Sequence, residues 1–255
     1  MSTAIPPIPA PAPAPTGLSE PQRIIDTFVA PSKTFEDIRR NTSWWLPWLI
    51  VGIFAAVSFA FFLKKIDVEQ FVRDQIASSP SQSQAFENLP KDQQNQRIAI
   101  SVKITKVTPY LIPIFTLLAG LIVAAILMAA FNFIHEAAVP YTRSLAIFFY
   151  AGLPNIISAV LAIITLTMAN SMEGRNPRNL VATNPAYFMD YQNTSKFLYG
   201  MAGSLDVITI WVIVLIGIGF KVNSAKPKLS TGGAIATVAV LFLVWRLIAS
   251  SLGWV

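Results

Sequence analysis

The chain has 255 residues, 54% of them hydrophobic and 13% charged, with a formal net charge of +6 and no cysteine. A soluble domain carries about 25% charged residues, so the composition excludes a soluble fold for the bulk of this chain. It also excludes disulfides and thiolate metal sites. Because the basic residues fall between apolar blocks, the positive charge points to anionic headgroups and not to nucleic acid.

Residues 1–17 form a Pro/Ala tract that favours extended polyproline II, cannot bury a core and reads as a disordered tether. The cytoplasmic segment 18–43 follows. Ser19-Glu20-Pro21-Gln22 has the pattern of a capping box with proline in the first turn, which opens a helix through Arg23 to Ala30. Pro31 interrupts and Ser32 is placed to recap. Ile24, Ile25, Phe28 and Val29 share one face, and Phe35 and Ile38 continue the stripe while Lys33, Arg39 and Arg40 point elsewhere. The expectation is two short amphipathic helices lying in the headgroup plane, anchored by Ile24, Ile25, Phe28, Phe35 and Ile38.

Five long apolar blocks follow within a membrane domain at 44–252. Trp44 to Leu63 carries no charge and has about the 20 residues that a helix needs to cross a bilayer. The connection 64–108 is too polar to insert. It carries helical patterns in Val68, Phe71, Val72 and Ile76 and, after Pro90, in Ile98, Val102 and Thr105. Pro109 and Pro113 then predict a kink on entry to the second block, Tyr110 to Ile134. The third block is Ser144 to Ala169. Loop 170–204 has a turn signal at Gly174-Arg175-Asn176-Pro177 and a local helix start at Asn184-Pro185. Val207 to Phe220 and Gly233 to Ser251 complete the set. The first block starts too late and runs too long for the apolar core of a cleavable signal peptide, so none is expected.

Lys and Arg in short loops set orientation. Arg23, Lys33, Arg39 and Arg40 precede the first span, Arg143 lies in the second connection, and Lys221, Lys226 and Lys228 lie in the fourth. With five spans these segments share one side, expected to be the cytoplasm. Lys64, Lys65, Lys103 and Lys106 flank the opposite, extracytoplasmic connection, and the carboxyl end also faces outward. The expected location is the cell inner (cytoplasmic) membrane.

Few residues suggest chemistry. His135-Glu136 begins the zinc pattern His-Glu-x-x-His, but Val139 stands at the second histidine position, and His135 is the only histidine. Asn184-Pro185-Ala186 spells a water-channel tripeptide but lies in a polar loop with no counterpart. Asn132 and Asn155 read as packing residues between helices. Ala119-Gly120, Ala124-Ala125, Ala129-Ala130 and Gly217-x-Gly219 offer close helix approach, or contacts for a homo-oligomer. Arg246 is the one charge inside an apolar block. Asp206 starts the fourth span on the same side, which predicts an interhelical Asp206–Arg246 ion pair, since a lone arginine in lipid is costly.

Phe28-Val29-Ala30-Pro31-Ser32-Lys33-Thr34-Phe35-Glu36-Asp37-Ile38 followed by Trp44-Trp45-Leu46-Pro47-Trp48 resembles the entry to the membrane domain of bacterial Yip-family proteins, relatives of the eukaryotic Ypt/Rab-interacting proteins. Arg143-Ser144-Leu145-Ala146 leading to Tyr150-Ala151-Gly152-Leu153-Pro154 is similar to the family's third span. Asn184-Pro185-Ala186-Tyr187-Phe188 and Leu205-Asp206-Val207-Ile208-Thr209-Ile210-Trp211 are similar to its last outer loop and fourth span. The large Gln-rich first connection departs from the compact eukaryotic pattern. The resemblance implies five helical spans, a cytoplasmic amino-terminal tail and no enzymatic activity.

The fold expected is therefore an all-α polytopic membrane protein with amino-terminal amphipathic helices and a helical first extracytoplasmic loop. No catalytic, cofactor or metal residue is assigned. The function expected is that of a non-enzymatic membrane organiser or adaptor, with the lipid bilayer as one partner and a cytoplasmic protein, met by the amino-terminal tail, as another. The alternative is a small transporter or channel subunit with a polar path past Asn132, Asn155 and Arg246.

Overall fold

Ser19 opens the first helix in the computed structural model, which describes residues 17–77, 80–169, 179–191 and 193–252. Its hydroxyl accepts from the Gln22 N–H at 3.4 Å, capping α1 (Glu20–Val29). Pro31 starts α2 (Pro31–Asp37), whose cap position, Ala30, offers no side-chain bond, so Ser32 does not recap as expected. The two helices fold back on each other as a hairpin, because the hydroxyls of Thr27 and Thr34 both donate to the Arg23 carbonyl, at 2.8 and 3.0 Å.

The first span, α3 (Trp45–Leu63), leads to α4 (Val68–Ala77), α5 (Pro80–Glu87) and the long α6 (Lys91–His135). Phe62 meets Phe71 edge-on at 5.5 Å, and Val72 and Ile98 are buried. The apolar faces read from the connection thus fold a helical arm back onto the end of α3. The prolines, where a kink was expected, do not end the helix. At 45 residues α6 runs through Pro109 and Pro113. Each proline removes one backbone bond, but its neighbours support the stretch. Trp48 Nε1 donates to the Pro113 carbonyl at 2.9 Å, and Gly52 lies against Pro113.

The chain then reverses into α7 (Tyr141–Ala151) and α8 (Asn155–Met168), which together make a 28-residue span interrupted at Gly152-Leu153-Pro154. A 3-10 turn at Pro185–Phe188, capped by Asn184, lies where a local helix start was expected. The expected turn at Gly174 to Pro177 lies outside the described residues. Lys196–Gly203 forms α9, which is bent by 57° from α10 (Val207–Asn223), and Thr231–Ser251 forms α11. Among the described residues four helices are long and apolar enough to cross a membrane, and α9 with α10 makes a fifth when the bent pair is taken as one span. Among the described residues every regular element is helical. This is the polytopic all-α class.

Glycines let the spans meet. A Cβ on Gly217 would lie 2.6 Å from Ile235 Cγ1, and one on Gly219 would lie 2.5 Å from Ile147 Cγ2. Phe131 of α6 stacks on Phe220 of α10 at 4.1 Å. The core sits where α6, α7 and α10 converge, and it includes Phe35 from α2 and Ile38 just after it.

Candidate functional site

The amino-terminal hairpin is docked on the bundle. Arg23 is completely buried. Its Nε donates to Asp37 Oδ2 at 2.6 Å and its Nη2 to the Asn41 carbonyl at 2.8 Å, so one side chain ties the start of α1 to the end of α2 and the segment beyond. Nη1 has no hydrogen-bond partner and lies 3.7 Å from Glu20 Oε1. The guanidinium also stands 5.9 Å from the Tyr150 ring centre, within cation–π range. Tyr150 in turn donates its phenol to Glu20 Oε2 at 2.6 Å. Glu20, Arg23, Asp37 and Tyr150 make one polar clasp between hairpin and third span. Burial pushes the Asp37 carboxyl up, but the Arg23 guanidinium, the Leu18 N–H and Arg40 together hold it below its ordinary value.

Further points of attachment run along α2 and α1. Asn223, at the end of α10, donates to the Phe35 carbonyl at 2.9 Å and to the Gly219 carbonyl at 3.0 Å. The Phe35 ring fits where Gly219 has no side chain. Phe28 packs edge-on against Trp211 at 5.8 Å. The surface-anchoring assignment is corrected accordingly. Phe35 and Ile38 are fully buried in the protein core, and Ile24 and Phe28 are packed against it. Of the five anchoring residues only Ile25 is turned outward, 61% exposed, next to Val29 at 73%. The apolar stripe faces α10 because Gly219 and Asn223 offer it a cleft and a backbone bond that lipid cannot match.

Two connections join this face. Glu136 and Ala138 adopt left-handed backbone, with φ of 50° and 52°, which is unfavourable for residues with a Cβ. Asn132 holds the turn by a reciprocal pair with Val139, donating to its carbonyl at 3.0 Å and accepting from its N–H at 2.9 Å. The Ala225 N–H donates to the Ala137 carbonyl at 2.9 Å, and Lys226 pairs with Glu136 at 2.6 Å. Arg143 reaches the Arg39 carbonyl at 3.3 Å. The hairpin, the second connection and the fourth connection therefore share one end of the molecule, as the loop charges imply. His135 Nε2 lies 2.7 Å from Thr237 Oγ1, bridging α6 and α11. The Asn155 side chain donates to the nearby Gly152 carbonyl at 2.8 Å.

At the opposite end the expected Asp206–Arg246 pair is absent. Asp206 caps α10 by accepting from the Thr209 N–H at 2.8 Å and also accepts from the Thr183 hydroxyl. Arg246 Nε donates to Ser204 Oγ at 2.8 Å and its Nη2 to the Gly200 carbonyl at 2.6 Å. The carboxylate is drawn to an orphan N–H at a helix start, and the guanidinium to the Gly200 carbonyl and the Ser204 hydroxyl at the end of α9, in line with helix-end partial charges.

The Yip1 domain matches residues 25–249, from within α1 almost to the end of α11. The chain belongs to the Yip1 family. No curated protein and no solved structure matches it. Because the Yip1 match begins inside the hairpin, the docked helices belong to the domain and are not an appendage to it. Sequence reasoning missed the roles of Arg23, Asn223 and Tyr150 in this Yip1 domain. One signal was present: the Gly217-x-Gly219 surface marked the place on α10 where another element comes close.

Proposed function

We propose that this protein is a non-enzymatic membrane organiser or adaptor of the inner (cytoplasmic) membrane, with its hairpin end in the cytoplasm and its carboxyl end outside. The observation that carries the reading is the buried clasp of Arg23, Asp37, Glu20 and Tyr150. It fixes the start of α1 against the bundle, at the end of the molecule where we place the cytoplasmic partner. The Yip1 membership supports a membrane-domain role. The polar side chains that a transport path would use are engaged in local bonds: Asn132 with Val139, Asn155 with Gly152, and Arg246 with Ser204 and Gly200.

Proximity labelling from the amino terminus of the full chain in its native host tests the proposal. An adaptor returns a reproducible set of cytoplasmic neighbours, and Arg23→Ala, which loosens the start of α1, changes that set. Labelling that yields only bulk membrane proteins, identical in the wild type and the variant, would overturn it.

A further inference from the structure

Arg246 is held on one edge and free on the other. Its Nε and Nη2 are taken by Ser204 Oγ at 2.8 Å and the Gly200 carbonyl at 2.6 Å. Nη1 makes no hydrogen bond and is not among the buried polar atoms that lack a partner, so it opens on the surface. No carboxylate lies within ion-pair distance of the guanidinium among the described residues. Asp206, the nearest acid in the sequence pattern, is engaged by Thr209 and Thr183.

Several exposed side chains on the two helices that Arg246 joins are apolar. Trp245 and Ile248 on α11 are 55% and 49% exposed, and Phe197 and Leu198 on α9, with Leu205 just after it, turn outward as well. Arg246 lies five residues before the end of α11 at Ser251, or about 7.5 Å along the helix. That depth is where the acyl chains meet the headgroups, with a tryptophan beside it as expected of a boundary. A carbonyl and a hydroxyl fix the guanidinium without cancelling its charge. In this layer the abundant anion is the phosphodiester of a phospholipid, and a guanidinium edge is shaped for phosphate oxygens.

We propose that Arg246 is a binding site for the phosphate of a phospholipid in the leaflet at the carboxyl-terminal end of α11. Ser204 and Gly200 orient the guanidinium so that Nη1 and the outer face of the group point into the headgroup layer. The lipid's acyl chains lie over Trp245, Ile248 and the exposed side chains at α9. The site is independent of the hairpin and of the adaptor reading.

Native mass spectrometry of the delipidated full-length protein in mild detergent decides the matter. The probes are phosphatidylglycerol, phosphatidylethanolamine and diacylglycerol with the same acyl chains, and inorganic phosphate. Both phospholipids should form a retained adduct, while diacylglycerol, which lacks phosphate, and inorganic phosphate, which lacks the chains, should not. Arg246→Ala should weaken the tightest phospholipid adduct by about five- to tenfold, and Arg246→Lys by less, because the charge remains and the planar edge is lost. Diacylglycerol binding as well as the phospholipids would overturn the proposal, as would inorganic phosphate saturating the site alone or a phospholipid adduct indifferent to Arg246→Ala. The comparison of headgroups on the wild type decides even where the alanine variant does not fold.

Discussion

Replacing Arg23 with alanine should undock the amino-terminal hairpin while leaving the transmembrane bundle assembled. The substitution removes the bonds to Asp37 and to the Asn41 carbonyl and leaves the Asp37 carboxylate, whose side chain is only 9% exposed, without its main partner. Removing one member of a buried pair costs about 3 to 5 kcal/mol. Arg40 at 2.6 Å and the Leu18 N–H at 3.3 Å still serve the carboxylate, which lowers the expected loss to about 2 to 4 kcal/mol. That corresponds to a roughly 30- to 900-fold shift in the docking equilibrium. Amide hydrogen exchange on the full chain in lipid nanodiscs reads this directly. Protection over Glu20–Val29 and Pro31–Asp37 should fall by that factor, and protection within α10 and α11 should be unchanged. Arg23→Lys should give a smaller loss, since an ammonium cannot serve the carboxylate and the Asn41 carbonyl in the same fork. Hairpin amides as protected in Arg23→Ala as in the wild type would refute the reasoning.

Acid should loosen the same clasp. Because the folded Asp37 carboxyl is held below its ordinary value, its contribution is complete above about pH 5 and fades as the pH falls further; hairpin amide protection measured against pH should follow that course. Gly219→Val should push Phe35 and Ile147 apart and cost about 1 to 3 kcal/mol, measured as a lower melting temperature of the detergent-solubilised protein. Asp206→Ala should cost about 1 kcal/mol through the lost cap on α10. It should add to the effect of Arg246→Ala within about 0.5 kcal/mol, whereas Ser204→Ala with Arg246→Ala should be plainly non-additive in the same thermal assay. Reporters fused at residue 17 and at Val255 should fall on opposite sides of the membrane; activity on the same side would mean an even number of spans.

The membrane class, the positions of most helices and the capping of α1 by Ser19 were legible because they rest on local pattern: apolar length, proline position and a hydroxyl before a helix. What required the structure was choice among partners. A helical wheel places Arg23 beside the apolar stripe but does not distinguish a basic residue facing headgroups from one buried against an aspartate fourteen positions on. Phe35 and Ile38 have the same pattern whether they meet lipid or Gly219 and Asn223. Arg246 and Asp206 looked complementary as charges, yet helix ends supplied each with nearer partners. The prolines of α6 read from sequence as a kink, and the contacts of Trp48 and Gly52 with Pro113 show what packs against that stretch of the helix.

The docking site of the hairpin is made long after the hairpin itself. Glu20 waits 130 residues for Tyr150, and Phe35 waits 188 for Asn223. At a synthesis rate of about 5 to 20 residues per second, the second interval is about 10 to 40 s. Through that time α1 and α2 have left the ribosome with no protein surface to cover Phe35 and Ile38. Until α10 is made, Phe35 and Ile38 lack the surface that buries them in the finished fold. The buried seam of the finished fold is therefore closed by a part of the chain made late, and the order of synthesis, not only the final contacts, sets when the hairpin can dock.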